Sequence, residues 1–303
     1  DDAGDAAEGP VDPGPSRRWA QIAHRALPDP LNPRTFPARR GGPPTSVVEL
    51  PAAPAQRWLA PRAGVTRGTV TCHRLHSPQL GYARDVWIYT PAGIGPGHPE
   101  RLPVLVLLDG EDWRGRLAAP TTLDNLIAAG ALPPTIAVMP DALDVPTRWA
   151  ELTGSPGFDA FLLDTLLPWV VEHHPAGDGA GHTTIAGQSI GGLTALRLAI
   201  LHPERIGAVV AQSASLWWSD DGEPHWLARM CANLRPEKLS ISLQVGLEEW
   251  TLLEDHRHLN RVLRRAGHRV AYHEYNGGHD AYCWRGGLAD GLVALAQMAP
   301  PPP

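Results

Sequence analysis

Three residues far apart in the chain have the types and the order that acyl transfer requires. Residues 183–202 read TTIAGQSIGGLTALRLAILH, a β-branched start, then Gly187-Gln188-Ser189-Ile190-Gly191, then an apolar helical pattern. GxSxG between a strand and a helix is a nucleophile elbow, in which small residues let the chain turn sharply and lift the serine hydroxyl to the sheet edge. Ser189 is the candidate nucleophile. The N–H of Ile190, at the helix N-terminus, is the candidate oxyanion donor. The partners should follow in the order acid, then histidine. His279 fits: the strand-like run 270–275 ends in Asn276-Gly277-Gly278-His279-Asp280, and the two glycines predict a tight turn that carries the imidazole back over the serine. The acid is expected after the run 240–245, within Gly246-Leu247-Glu248-Glu249-Trp250. Glu249 is favoured among Glu248, Glu249, Glu254 and Asp255, with Asp255 or no functional acid as the alternatives; the role needs only an oriented carboxylate that accepts the imidazole N–H.

A second oxyanion donor is expected from Leu107-Leu108-Asp109-Gly110-Glu111-Asp112-Trp113, with Gly110 foremost among the N–H groups of 110–113. Carboxylates in such a loop must point away from a developing anion, which makes Asp109 structural. Eleven tryptophans stand against three phenylalanines. Trp113, Trp149, Trp217, Trp218, Trp250 and Trp284 fall where the carboxyl ends of strands should open, and together they suggest an aromatic-walled cleft. Arg148 and Arg285 belong to the same expected rim, which points to a local site for an aromatic anion. The candidate substrate contacts are therefore Arg148, Arg285, Trp113, Trp217, Trp218 and Trp284. Other histidines have plainer roles. His173 and His174 end a helical run, and His256 and His258, two residues apart on one helix, face different ways, which argues against a metal site.

Positioning these groups requires alternating elements. Runs 68–75 and 84–90 read as an antiparallel pair, followed by strands near 103–108, 135–139, 183–186, 208–212, 240–245 and 270–274. Helical patterns lie near 122–129, 158–173, 191–202, 252–266 and 286–297. Such alternation predicts an α/β fold with a mostly parallel central sheet flanked by helices and entered by an antiparallel hairpin. Residues 1–65 differ: they hold 12 of the 32 prolines, and only 17–27 has a helical look. Proline removes a donor and restrains its predecessor, so an irregular arm is expected there, with residues 66–303 forming the catalytic domain.

Composition excludes several functions. Hydrophobic residues make up 43% and charged residues 19%, enough to bury a substantial core. No apolar run approaches the length of a membrane span. The net charge is −6 and basic residues are scattered, so neither nucleic acid nor a membrane surface is an expected partner. Cys72, Cys231 and Cys283 form no CxxC pair, which argues against a disulfide framework and a thiolate metal site. With no recognisable signal peptide, although the sequence starts at Asp1 and not Met, a cytoplasmic setting is expected.

Several stretches carry a more specific resemblance. GGHDAYCWRGGL at 277–288, AGQSIGGL at 186–193 and AQSASLWW at 211–218 resemble the enterochelin (enterobactin) esterases, as do LLDGEDW at 107–113, TRWAEL at 147–152 and GLEEW at 246–250. PDPLNP at 28–33 looks like the end of the N-terminal domain that these enzymes carry, and the resemblance leads to the expectation that only part of that domain is represented in this sequence. The resemblance spans roughly residues 28–300. It implies an α/β-hydrolase fold and a serine esterase that opens the trilactone of a ferric catecholate siderophore. It also places Glu249 on the family's acidic position. Iron would belong to the substrate, and no protein-bound metal or organic cofactor is implied. The rival readings are an ester or thioester hydrolase, or acyltransferase, for another acyl substrate, and a siderophore-binding module without catalysis.

Overall fold

A computed structural model of the protein describes residues 27–39, 43–234 and 238–298. The chain divides into two units, Asp1–Glu49 and Leu50–Pro303. The described part of the first holds two short antiparallel strands, β1 (Thr35–Phe36) and β2 (Thr45–Ser46). The helical stretch expected at 17–27 lies outside the described residues except for Leu27. The boundary expected after residue 65 falls earlier, because 50–65 is tied to the second unit: the Asn125 side-chain amide donates to the carbonyls of Trp58 (2.7 Å) and Ala60 (2.9 Å).

The second unit is built on eight strands. They are β3 (Thr69–Ser77), β4 (Tyr82–Thr90), β5 (Val104–Leu107), β6 (Ile136–Pro140), β7 (Thr183–Gln188), β8 (Ala208–Gln212), β9 (Ser240–Gly246) and β10 (Arg269–Tyr275). Their order is β10-β9-β8-β7-β5-β6-β4-β3, parallel from β10 to β6 and antiparallel at β4 and β3. This is the α/β-hydrolase architecture. β5, β6 and β9 are buried at every position, as aliphatic strands covered on both faces must be. The helix Ile190–Leu201 is buried from Ile190 to Ile200, which its apolar sequence requires. Its one charge, Arg197, forms two hydrogen bonds with Asp159, at 2.6 and 2.5 Å.

Register lines up the ends of the strands that carry the chemistry. Gln188 pairs with Gln212, Gln212 with Gln244, and Gly246 with Tyr275. The residues that follow these ends share one edge. Two of the expected helices differ in their course, and the helices Val145–Leu152 and Trp226–Leu234 were not anticipated. The stretch expected as one helix at 158–173 is Pro156–Ala160, a π-turn Phe161–Leu166, and Leu167–His173. Pro168 has no N–H to give and its ring crowds the carbonyl four residues back, so the ladder widens there. The helix expected from residue 286 starts at Ala281 and runs to Met298. Close packing requires the glycine at 287, where a β-carbon would lie 2.5 Å from the Gln212 amide nitrogen and 2.6 Å from Gln244 Oε1.

The helix Val145–Leu152 is fixed to the sheet by a buried ion pair. Arg84 on β4 and Glu151 are 1% and 3% exposed, and Arg84 donates two hydrogen bonds to the Glu151 carboxylate. Tyr82 also donates to it, at 2.5 Å. Removing one partner strands the other charge in the core. Glu151→Ala should therefore lower the unfolding free energy by roughly 3–5 kcal/mol. Denaturant titration measures this, and a loss under about 1 kcal/mol would show that Arg84 finds water or another acceptor.

Candidate active site

The chain turns from β7 into the helix Ile190–Leu201 at Ser189, whose φ of 56° and ψ of −123° lie where a non-glycine residue is strained. Gly187 is required by close approach, since a β-carbon there would meet the Gly191 carbonyl oxygen at 2.3 Å. The Ser189 N–H donates to the Gln212 carbonyl at 2.9 Å, and the Ser189 carbonyl accepts from the N–H groups of Gly192, Leu193 and Ser215. These bonds fix the hydroxyl at the sheet edge. His279 reaches it from the loop after β10: His279 Nε2 lies 3.0 Å from Ser189 Oγ. On its other side, His279 Nδ1 lies 2.6 Å from Glu249 Oε2. The imidazole is 41% exposed, whereas the carboxylate beneath it is 1% exposed. A proton can thus pass between serine and imidazole at a solvent-accessible surface, over a charge held out of water.

Glu249 sits at the start of the helix Trp250–Arg265 and is held on every side. Its Oε1 accepts from the Gly246 N–H (2.7 Å), Ser213 Oγ (2.6 Å) and the Tyr275 hydroxyl (3.3 Å). Burial pulls the carboxyl upward, but the hydrogen bonds from His279, Ser213 and Gly246 outweigh it and hold the acid below its usual range. The competing carboxylates are placed elsewhere. Asp255 lies 3.4 Å from His225, Glu254 pairs with Arg257, and Glu248 is exposed. The Gly277 turn also depends on close packing, since a β-carbon there would lie 2.7 Å from Cys283 Sγ. That thiol is pushed up to about 12 by burial and by Asp280, which leaves it protonated and a poor competitor for the serine.

The segment expected as an oxyanion loop is a short helix, Gly110–Arg114, entered through Asp109 at φ 64°. Gly110 must be glycine because a β-carbon would overlap the Met139 carbonyl carbon at 2.2 Å. A β-carbon on Gly191 would lie 3.6 Å from Asp109 Oδ2, so this segment lies against the first turn of the helix that begins at Ile190. The carboxylates are occupied as expected. Asp112 binds Arg116, and Glu111 accepts from the Ala142 N–H. Asp109 accepts from Arg148 Nε and Nη2, at 2.5 and 2.7 Å, and from Gln188 Nε2 at 3.0 Å.

This network changes the expected cleft. Arg148, anticipated as a ligand contact, is a partly buried counter-ion to Asp109, its side chain 15% exposed. Trp113 is fully buried and donates to Gln188 Oε1 at 3.2 Å, which takes it off the wall. Trp284 turns its indole N–H inward to Ser213 Oγ (2.9 Å) and sets its ring perpendicular to His279 at 4.9 Å. Trp218 packs edge-on against Trp226, next to the core. Arg285 stays partly exposed, held over the Tyr282 ring at 3.6 Å and donating to Gln56. Trp217 is the expected contact that faces outward, at 58% exposure, and it meets Trp149 (45% exposed) edge-on at 6.2 Å.

Ser213, Ser215, Tyr275 and Gln188 were not singled out in the sequence. Ser215 Oγ lies 3.3 Å from Ser189 Oγ and is 2% exposed. The available signal was Ser213-Ala214-Ser215 directly after β8, two hydroxyls at the carboxyl edge of a strand beside the elbow.

Two family models match the chain: Esterase over residues 77–295, and Enterochelin esterase, N-terminal over residues 9–59. The iron(III) enterobactin esterase of Escherichia coli K12 is 36% identical over 284 residues, covering 92% of this chain and 70% of that protein. The iron(III) salmochelin esterase of Escherichia coli O6:H1 is 31% identical over 293 residues, covering 92% of this chain and 69% of that one. The enterobactin esterase from Shigella flexneri, crystallised in the presence of enterobactin, superposes with a TM-score of 0.82 at 34% identity, covering 93% of this chain and 73% of that one.

The lowered Glu249 pKa gives a signed pH dependence. Its contribution to stability is fully present above 4.5, the ordinary value of the carboxyl, and is lost as pH falls through the lower folded value. The stability difference between wild type and Glu249→Gln should therefore shrink progressively as pH falls below 4.5, the ordinary value of the carboxyl. Denaturant unfolding across that range checks it, and a difference that widens with acidity contradicts the assignment.

Proposed function

The chain belongs to the enterochelin (enterobactin) esterase family of α/β-hydrolases, and from that premise we propose that it hydrolyses the trilactone of a ferric catecholate siderophore with Ser189 as nucleophile. The observation that carries the reading is the continuous hydrogen-bonded series from Ser189 through His279 to Glu249. Ser189 Oγ attacks a lactone carbonyl while His279 Nε2 takes its proton. Glu249 holds the imidazole by its Nδ1–H and stabilises the imidazolium that forms. The oxyanion is received by the N–H groups of Ile190 and Gly110, which open adjacent helices. Collapse expels the alkoxide of the neighbouring ester unit, which takes the proton from His279. Water then attacks the acyl-enzyme by the same route and restores the serine.

Recognition follows from the outward tryptophans. Trp217 is two residues past Ser215, whose hydroxyl touches that of Ser189, so the Trp149–Trp217 pair borders the nucleophile. Two aromatic faces set edge-on suit catecholate rings. Arg285 adds a cation from the helix that follows the His279 loop. Iron enters and leaves as part of the ligand.

Ser189→Ala should lower kcat for trilactone opening by on the order of 10³ or more while leaving ligand affinity nearly unchanged. Mass analysis of linear products from iron-loaded and iron-free trilactones reads this directly. Unchanged turnover in Ser189→Ala would remove the nucleophile assignment. Wild-type protein that cleaves simple esters but no trilactone would place the substrate elsewhere.

A further inference from the structure

We propose that Trp284 is a positioning residue for the esterase reaction, acting through Ser213 to set the orientation of the Glu249 carboxylate; the inference rests on Ser189, His279 and Glu249 acting as the triad. The argument begins with donor arithmetic. An indole N–H can only donate, and a serine hydroxyl has one proton to give and lone pairs to accept with. Trp284 Nε1 lies 2.9 Å from Ser213 Oγ and so fills an acceptor position on it. The Ser213 proton must then point to another acceptor. Two oxygens are in reach, Glu249 Oε1 at 2.6 Å and the Tyr275 hydroxyl at 3.1 Å. The charged oxygen is both nearer and the stronger acceptor. The direction of the hydroxyl is thereby fixed, from tryptophan to serine to carboxylate.

The consequence is a division of labour between the two carboxylate oxygens. Oε1 is filled by the Gly246 N–H, Ser213 and Tyr275, and Oε2 is left to His279 Nδ1. Without the Trp284 N–H, Ser213 can turn its proton to Tyr275, and Glu249 loses one of the donors that hold it under the imidazole. The position of Ser213 is itself constrained. Its φ is 47°, strained for a non-glycine residue, and its N–H donates to the Gln244 carbonyl at 2.8 Å. Trp284 is brought to it because Gln212 Nε2 donates to the Trp284 carbonyl at 2.9 Å and Gly287 lets the helix approach Gln212 and Gln244. The same indole stands perpendicular to the His279 ring at 4.9 Å, so one side chain bounds the base and polarises the support of its acid.

The test uses a small neutral phenyl ester, whose turnover needs the triad but not catecholate recognition. Trp284→Phe keeps the ring and removes the N–H, and Ser213→Ala removes the relay. Each should lower kcat by roughly tenfold to a hundredfold, the loss of one hydrogen bond to a charged group, with KM within about twofold of wild type. The double variant should be no slower than Ser213→Ala, since both changes cut one chain of bonds. A rise in KM with kcat intact would make Trp284 a wall of the cleft and overturn the inference. So would additive losses in the double variant, because Trp284 would then act without Ser213. If Trp284→Phe fails to fold by thermal melting, Ser213→Ala decides: unchanged kcat in the folded variant overturns the proposal. A Ser189→Ala control separates the two readings. Turnover surviving there unseats the nucleophile and this inference with it, whereas an inert Ser189→Ala beside a fully active Trp284→Phe unseats the positioning role alone.

Discussion

Glu249 carries a charge at 5% exposure, and a carboxylate taken out of water must have its oxygens filled by donors or it takes up a proton. That requirement organises the carboxyl edge of the sheet. The Gly246 N–H comes from the end of β9, Ser213 from the residue after β8, Tyr275 from the end of β10, and His279 from the loop beyond it. Three strands and one loop thus converge on one functional group. The imidazole receives its orientation from this arrangement while keeping one face toward solvent, where a substrate can reach it.

A second buried charge does similar work on the opposite side of Ser189. Asp109, with Arg148, joins the short helix at Gly110 to the helix Val145–Leu152, and Gln188, the residue before the nucleophile, donates to Asp109 and accepts from Trp113. The Arg84–Glu151 pair anchors that helix to β4 in turn. The nucleophile is flanked by two charge networks whose carboxylates, Glu249 and Asp109, are nearly closed to water. Such networks contribute little net stability over an apolar core, but they penalise misplacement of any member and so specify geometry. Preorganised donors around a strained serine are what catalysis by charge stabilisation requires.

The same economy shapes recognition. Several guanidinium and indole groups expected at the strand ends are drawn into these networks, Trp113, Trp284 and Arg148 among them, while Trp250, the Trp149–Trp217 pair and partly exposed Arg285 stay outward. Under the proposed reading these outward groups would offer flat faces to an aromatic anion while the chain as a whole stays acidic, at −6. Attraction to the ligand is then local to the site and not a long-range field.

Much of this protein was legible in its sequence because the signals are local. The elbow GQSIG between a β-branched run and an apolar helix identifies Ser189, and the order of serine, acid and histidine along alternating strands leads to Glu249 and His279. The central strands β5, β6 and β8 follow from short apolar runs buried on both faces. What the chain order could not supply is the partner of each polar group across the fold. Trp113, Trp284 and Arg148 had the right types and sat near the right strand ends, yet their N–H groups were claimed by Gln188, Ser213 and Asp109, which lie 75, 71 and 39 residues away. An indole or guanidinium reads the same in sequence whether it faces a ligand or a buried acceptor. Only the packed sheet, by bringing Ser213 under Trp284 and Asp109 under Arg148, decides which acceptor is near enough to fix it.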